Sequence, residues 1–325
     1  MIMNKDFSFY LSNFLGKYLN VGRNMSLHTI RSYRKTFQLL IDYLVNIKKF
    51  KLKDITFNKV TREIIIDFLN YLEDEKKNSI KTRNQRLASI KSFYQYCAID
   101  EIDNIDNIRR ILSIKSKKEI KKIMTYLTEE ELKILFDSID TTTKIGRRDL
   151  TVLTLLYDTA ARASEIIDLK LDDIHLEEKY IILTGKGNKQ RIVSIMEQTK
   201  KLLISYIKEN NVMNGYLFKK SNNSNCKMNS NFIMDIVLKY NKILNKKISP
   251  HTFRHTRAVH LLDKGVNPVY IQELLGHSSI NTTMEYARVI EKSKFDAIEK
   301  ANPKINDDLP DWNDDIDLLN QLLNL

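Results

Sequence analysis

A histidine and an arginine three residues apart form the first candidate for chemistry in this sequence. They lie in Ser249-Pro-His-Thr-Phe-Arg254, and a serine followed by proline is typical of a helix start. Because residues at i and i+3 share a helix face, His251 and Arg254 would both lie near the free N–H groups of the first turn. Such a pair would bind a phosphate. The alternative is a histidine packed in the core beside a surface arginine.

Two further candidate cations, Arg162 and Lys186, lie earlier in the chain, and each could also have a purely structural role. Arg162 follows two alanines and precedes Glu165 by three residues, so the carboxylate could fix a guanidinium between closely packed backbones. A routine i,i+3 ion pair is the alternative. Lys186 lies in Gly185-Lys-Gly-Asn188, where it could reach a substrate or simply be an exposed turn lysine. The phosphate-loop spacing G-x-x-x-x-G-K-[ST] is missing there.

The last candidates lie toward the carboxyl end. Asn267-Pro268 predicts a helix start and Gly276 a helix stop, which places His277 on a loop. Tyr286 follows nine residues later. It is one of 15 tyrosines, and by itself a tyrosine is usually a packing residue.

The surrounding patterns predict a mainly α fold with a small β-hairpin. Ser26 and Ser79 each precede an apolar stripe of helical spacing. Thr128 and Glu131 form a capping box that opens a second domain of mixed α/β structure, with apolar-rich helices near 148–168. β-prone runs flank the Gly185–Asn188 turn, as in a hairpin. The predicted domains are a helical domain (1–105), a basic linker (106–125), the second domain (126–295) and an acidic tail (296–325).

The linker and the tail differ sharply in charge. Arg109 to Lys122 holds seven basic residues and one acid, which would suit either a strap along phosphates or a solvated surface segment. Residues 305–325 hold six aspartates and no Lys or Arg. Ile316–Leu323 could form an apolar helix face that docks on another protomer or packs on its own domain.

Composition narrows the class of protein. The net charge is +12, from 53 Lys and Arg against 41 Asp and Glu, and this favours a polyanionic partner. An AT-rich genome with a lysine bias would also raise the charge. Cys97 and Cys226 are too few for a cysteine-based zinc site or a disulfide framework. We find no signal peptide and no membrane span, so we expect a soluble, cytoplasmic protein.

Taken together, the ordered candidates resemble the tyrosine recombinase family, also called the phage-integrase family, in an Xer-like layout. The resemblance is close over roughly Thr128–Val289 and looser in the N-terminal helices, which are similar to the family's core-binding domain. Ala160 stands where members often have glycine, and His277 where some have tryptophan. The matching series is Arg162, Lys186, His251-x-x-Arg254, Gly276-His277 and Tyr286.

The resemblance implies a site-specific recombinase that needs no metal or other cofactor. Tyr286 would attack a DNA phosphate to give a 3′-phosphotyrosine, while Arg162 and Arg254 hold the non-bridging oxygens. Lys186 would protonate the leaving 5′-oxygen and His251 would assist proton transfer at the tyrosine. His277 would hydrogen-bond the phosphate, and Glu165 would orient Arg162 or His251.

The expected partners are double-stranded DNA and further copies of the chain, as a tetramer on two DNA sites. The two domains would clamp the duplex from opposite sides. Two alternatives stay open: a non-catalytic DNA-binding regulator on the same fold, and a type IB topoisomerase that relaxes supercoils. The candidate DNA contacts are basic residues of the N-terminal helices and the linker: Arg31, Arg34, Arg83, Arg86, Lys117 and Lys118.

Overall fold

The computed structural model divides the chain into two compact units. The N-terminal unit is Met1–Lys121 and the C-terminal unit is Lys122–Leu325. The structure describes residues 6–23, 25–119, 124–185, 187–220, 226–277, 279–287, 317 and 320. Lys186 and the proposed docking segment of the tail, Asp317 and Asn320 apart, lie outside these residues. Among the described residues, no helix is both long and apolar enough to cross a membrane.

The N-terminal unit is built from helices whose starts are fixed by side-chain caps. Asp6, Ser26, Thr61 and Ser79 each accept a hydrogen bond from a backbone N–H of the following first turn. The predictions at Ser26 and Ser79 are therefore confirmed. The α-helices are α1 (Phe7–Asn13), α2 (Leu27–Asp42), α3 (Arg62–Asp74), α4 (Ile80–Cys97) and α5 (Ile105–Leu112), with π-helical segments at Phe14–Gly22 and Tyr43–Ile47 and 3₁₀ turns at Leu52–Asp54 and Ile102–Asn104.

Aromatic side chains form the centre of this unit. The Phe93 ring lies 5.4 Å from that of Phe14 and 5.1 Å from that of Phe37, and all three side chains are fully buried. Phe7 and Phe57 extend the cluster from α1 and from the segment before α3. Edge-to-face packing of this kind adds to the stability gained from burial.

The segment expected as a basic linker begins as part of this unit. Residues 105–112 form helix α5, and Ile108, Ile111 and Ile114 are buried in the N-terminal core. The charge count of this segment hid the apolar spacing of three residues on one helix face. The structure thus places the first residues of the expected linker, from 106, within the helical unit.

The C-terminal unit combines helices with a small sheet. Thr128 and Glu131 form the predicted capping box. Ser249 precedes a helix with Pro250 at its first position, as predicted. The elements are α6 (Glu129–Asp137), α7 (Lys144–Asp158), α8 (Ala163–Asp168), a 3₁₀ turn (Leu171–Asp173), β1 (Ile174–His175), β2 (Tyr180–Thr184), β3 (Gln190–Ser194), α9 (Glu197–Glu209), α10 (Phe232–Tyr240), α11 (Pro250–Asp263), α12 (Pro268–Leu275) and α13 (280–287).

The sheet is antiparallel, with strand order β1-β2-β3. Strands β2 and β3 pair in register from Tyr180 with Ser194 to Thr184 with Gln190, so the predicted hairpin is confirmed. Strand β1 adds a short third edge that the sequence pattern did not indicate. The inward residues Ile181, Leu183 and Val193 are buried against the helices.

A sharp break separates α7 from α8, the helices that the structure forms in the apolar-rich region predicted near 148–168. Helix α7 ends at Asp158, and Ala160 adopts a positive φ of 49°. A non-glycine residue in this left-handed region is uncommon and often marks a functional constraint. The break makes Arg162 the residue that caps α8.

Candidate active site

Glu165 holds two arginines at the start of α8. Its carboxylate accepts from the Arg162 guanidinium at 2.8 Å and from Arg191 at 2.9 and 2.7 Å, and it is 3% exposed. It also accepts from the backbone N–H of Arg162. Burial would raise the pKa of this carboxyl, but the arginine partners and that N–H lower it to about 2. Glu165 therefore stays ionised and holds the Arg162 side chain.

Arg254 is buried at the start of α11. Its two terminal nitrogens donate to the backbone oxygens of Ala160, at 2.7 Å, and Leu275. Burial, followed by the charges of Arg162 and Arg191, lowers its pKa to about 10. The unusual backbone at Ala160 thus presents a carbonyl to Arg254. The guanidinium groups of Arg162, Arg191 and Arg254 are therefore close enough for their positive charges to affect one another.

Two histidines flank this cluster. His277 lies on the predicted loop, where its Nδ1 is 3.1 Å from the Thr283 hydroxyl. Burial and the charges of Arg254 and Arg162 lower its pKa to about 4. His251 has an exposed side chain on α11, and partial desolvation with the same two arginines lowers its pKa as well. Both rings are neutral at pH 7 and can therefore accept a proton or a hydrogen bond.

Tyr286 lies on α13 and is only 2% exposed. Its hydroxyl is 2.9 Å from Nδ1 of His255, and its ring is nearly parallel to that of His277 at a centroid distance of 6.4 Å. Burial raises the pKa of the phenol, while the positive charge of Arg254 opposes that rise. Tyr286 is thus neutral and within the electrostatic reach of Arg254.

An open groove of about 710 Å³ runs beside these residues. Arg162, Arg191 and Lys189 give it a positive lining, and His277 and Thr282 lie along it. Gly185, at the base of the β2–β3 turn, also lines it. A Cβ at this position would lie 3.1 Å from a carboxylate oxygen of Glu165. The turn that carries Lys186 therefore starts at this groove. Such a surface suits an anionic ligand.

The candidate DNA contacts of the N-terminal unit have different surroundings. Arg31, Arg34 and Lys118 are exposed. Arg83 is 4% exposed and its Nε lies 3.4 Å from a Glu73 carboxylate oxygen, so a phosphate could reach it only after this packing changed. The basic residue count did not reveal that Glu73, one helix earlier, neutralises Arg83.

Arg86 and Lys117 also have partners inside the N-terminal unit. Arg86 donates to the Ser32 carbonyl and to the Thr36 hydroxyl, both at 3.0 Å. Lys117 pairs with Glu73 at 2.9 Å. A phosphate would have to compete with these contacts.

Sequence reasoning missed two residues of the site, Arg191 and His255. Arg191 was counted only as part of a β-prone run, and His255 only as a neighbour of Arg254. An inward position opposite Leu183 could have marked Arg191, because a buried arginine requires a carboxylate. His255 follows His251 by four residues, which places it on the same helix face.

The fold and the arrangement of the site define a class of protein, and comparison with known proteins gives the same class. Residues 125–293 match the phage integrase family, and residues 13–100 match the N-terminal SAM-like domain of phage integrases. "Tyrosine recombinase XerD" of Oceanobacillus iheyensis is 32% identical over 297 residues, covering 88% of this chain and 96% of that protein. "Tyrosine recombinase XerA" of Pyrococcus horikoshii is 32% identical over 239 residues, covering 72% and 79%. The chain therefore belongs to the phage integrase family and is a tyrosine recombinase.

Solved structures show the same fold. A XerH site-specific recombinase bound to a palindromic difH substrate has a TM-score of 0.69 at 23% identity, covering 85% of this chain and 80% of that one. A lambda integrase dimer bound to a core site has a TM-score of 0.65 at 16% identity, covering 86% and 95%. The arrangement of helices and sheet is thus shared across large sequence distances.

Proposed function

We propose that this recombinase cuts and rejoins double-stranded DNA at specific sites through a 3′-phosphotyrosine at Tyr286, with strand exchange between two sites. The observation that carries the proposal is a positively lined groove bordered by Arg162 and His277, with the buried Arg254 and Tyr286 within electrostatic reach of each other beside it. These residues come from four separate segments of the chain.

In the first step the Tyr286 oxygen attacks the phosphorus and the bond to the 5′-oxygen breaks. His251 takes the phenolic proton, which its lowered pKa permits because the ring is neutral. Arg162 and Arg254 stabilise the charge on the non-bridging oxygens, and His277 donates a hydrogen bond. Glu165 holds Arg162 in the required orientation.

Lys186 acts as the general acid and donates a proton to the released 5′-oxygen. The turn of β2 and β3 carries this lysine, and Gly185 at its base lines the groove. A 5′-hydroxyl from a second duplex reverses the step and joins the new strand. The phosphotyrosine conserves the bond energy, so the proposed reaction requires neither a metal nor a nucleotide.

Tyr286, the proposed nucleophile, is buried in this structure. A phenol with 2% exposure that is hydrogen-bonded to His255 has no direct path to a duplex. We propose that α13 shifts when DNA binds, so that Tyr286 leaves His255 and turns toward the arginines. The nearness of Arg254, whose charge opposes the rise in the pKa of Tyr286, supports a short movement of the hydroxyl.

Both units contact the duplex in this proposal, with Arg31, Arg34 and Lys118 as exposed phosphate contacts of the N-terminal unit.

The assembly is a tetramer on two DNA sites in the cytoplasm, and residues 296–325 dock on a neighbouring protomer. In this proposal the helical domain, expected over 1–105, extends through α5 to residue 112, and the basic linker runs from there to 125. The catalytic domain spans 126–295 and the tail 296–325. Deleting Lys304–Leu325 should weaken assembly on DNA; unchanged assembly would remove the docking proposal.

The test compares two tyrosine variants on one DNA substrate. A duplex enriched from random sequence by binding to the chain is nicked near the cleavage position, so that the cut fragment diffuses away and the covalent adduct accumulates. We expect an adduct with the wild type and with Tyr270→Phe, whose side chain is 66% exposed on α12. Tyr286→Phe should form none while binding the duplex with similar affinity. An adduct with Tyr286→Phe would overturn the proposal.

A further inference from the structure

Arg191 connects three elements of the C-terminal unit through one side chain. It lies on β3 opposite Leu183, and its side chain is 13% exposed. Its terminal nitrogens donate to both oxygens of Glu165 on α8, and its Nε donates to the Leu274 carbonyl of α12 at 2.8 Å. All three guanidinium nitrogens therefore have partners within the protein.

The contact with Glu165 is a two-point fork. Glu165 Oε1 accepts from Arg162 and Arg191, and Oε2 accepts from the Arg162 backbone N–H and Arg191. An isolated carboxylate at 3% exposure would be costly. Arg162 supplies only one side-chain hydrogen bond, and Arg191 supplies two. Arg191 thus carries much of the neutralisation that keeps Glu165 ionised.

The contact with α12 fixes the turn that leads to His277. Gly276 has a φ of +59°, and a Cβ there would meet the Arg191 Cδ and Nη1 atoms at 3.4 Å. Arg191 therefore packs directly over this glycine while it holds the carbonyl two residues earlier. A shorter side chain on β3 would leave both the carbonyl and the turn without this support.

We propose that Arg191 is a positioning residue for DNA cleavage, which acts through Glu165 on Arg162 and through Leu274 and Gly276 on His277. Arg191 also links the β2–β3 hairpin to Arg162 and His277. The N–H groups of Arg191 donate to protein atoms, so Arg191 orients the phosphate-binding groups and does not itself bind the phosphate. This inference rests on the proposed function of the same site.

The first test is the pH profile of single-turnover cleavage by Arg191→Gln. We expect cleavage to fall about 10- to 100-fold at pH 8, the range typical for groups that orient a reactive centre, with DNA affinity changed less than about threefold. Without Arg191, Glu165 keeps Arg162 as an ion-pair partner and Arg254 as a more distant neighbouring cation. Its pKa should rise, so the ratio of variant to wild-type rate should fall further between pH 7 and 5 as Glu165 protonates and releases Arg162.

Three matched variants separate positioning from general stability. Arg191→Gln combined with Glu165→Gln should lose the additional acid dependence, because no carboxyl remains to titrate. Arg191→Lys should keep a wild-type acid profile, since an ammonium still neutralises Glu165, and should cleave about 3- to 10-fold slower, because it cannot form the fork. Arg148→Gln removes a comparable partner of a buried carboxylate, Asp149, and should leave the profile unchanged.

Several outcomes would overturn the inference. One is an Arg191→Gln profile parallel to that of the wild type. Another is acid dependence that persists without Glu165, which would assign it to His277, whose pKa Arg191 also lowers. If Arg191→Gln does not fold, wild-type cleavage by Arg191→Lys would be sufficient to reject it. Absence of any covalent adduct with the wild type would instead refute the proposed function.

Discussion

The interiors of the two units differ in chemistry. Among the described residues of the N-terminal unit, Arg83 is the only buried charged side chain. Thr36 and Ser89 are its other buried polar residues, and its hydrophobic core is aromatic and aliphatic apart from Cys97. The C-terminal unit buries Asp149, Asp158, Glu165 and Arg254. Each of these four has a hydrogen-bond or ion-pair partner. One unit is thus a packed scaffold, whereas the other uses part of its interior to hold charge.

This difference indicates where the two kinds of function are placed. A buried charge needs fixed partners, and fixed partners hold a guanidinium in one geometry. The C-terminal unit buries two such charges, Glu165 and Arg254, next to the groove. The N-terminal unit has its candidate DNA-contacting charges, Arg31 and Arg34, on the surface, where a contact with DNA would require no preformed network.

The largest expected effect is on the stability of the N-terminal core. Phe93→Ala should lower the free energy of unfolding of that unit by about 3–5 kcal/mol, because the removed ring leaves a cavity among fully buried neighbours. Hydrogen exchange of the full chain would show faster exchange in α4. Equal acceleration in α7 of the C-terminal unit would contradict the separation of the two cores.

The next effect is on catalysis in the C-terminal unit. Arg162→Lys should slow DNA cleavage about 10²- to 10³-fold, because an ammonium cannot both pair with Glu165 and form a fork on the phosphate. Single-turnover cleavage of a nicked duplex measures this. Arg34→Lys is the matched control in the N-terminal unit and should change the rate less than about threefold; equal losses would show that both arginines only bind DNA.

A smaller effect concerns His255, whose Nδ1 lies 2.9 Å from the Tyr286 hydroxyl. Burial, with the nearby His251 and Arg254, lowers the pKa of His255 to about 4, so folding keeps it neutral. Because the unfolded chain binds this proton near pH 6.5, stability decreases as the pH falls from about 6.5 toward 4. His255→Gln should reduce that decrease in chemical denaturation, whereas His28→Gln, at a residue exposed in α2, should not. An unchanged slope in His255→Gln would contradict the burial of that ring.

The smallest effect is at the N-terminal surface. Arg34→Gln should reduce the slope of log affinity for DNA against log salt by about 0.9, the value for one phosphate contact. Arg83→Gln should leave the slope unchanged, because Arg83 is buried beside Glu73. Binding isotherms at several salt concentrations measure both. A larger change for Arg83 would restore the original prediction for that residue.

The sequence was sufficient to predict the helix starts at Ser26, Ser79, Thr128 and Ser249 and the hairpin, because caps and turns depend on a few adjacent residues. It also placed Glu165 beside Arg162, since they are three residues apart. Local spacing decides all of these.

Contacts between residues that are far apart in the chain could not be predicted from local spacing. Arg191 meets Glu165 across 26 residues and Leu274 across 83. The pairing of Tyr286 with His255 depends on how α13 packs against α11. The break at Ala160 follows from tertiary packing around Arg254, which overrides the helix preference of alanine.

The most direct measurement identifies the residue that becomes linked to DNA. The covalent adduct formed on a nicked duplex is digested with nuclease and trypsin, and the nucleotide-bearing peptide is sequenced by mass spectrometry. We predict a single nucleotide 3′-phosphate on Tyr286 within the peptide that spans residues 265–288, which also contains Tyr270. A nucleotide on Tyr270, or on any residue outside this peptide, would contradict the account.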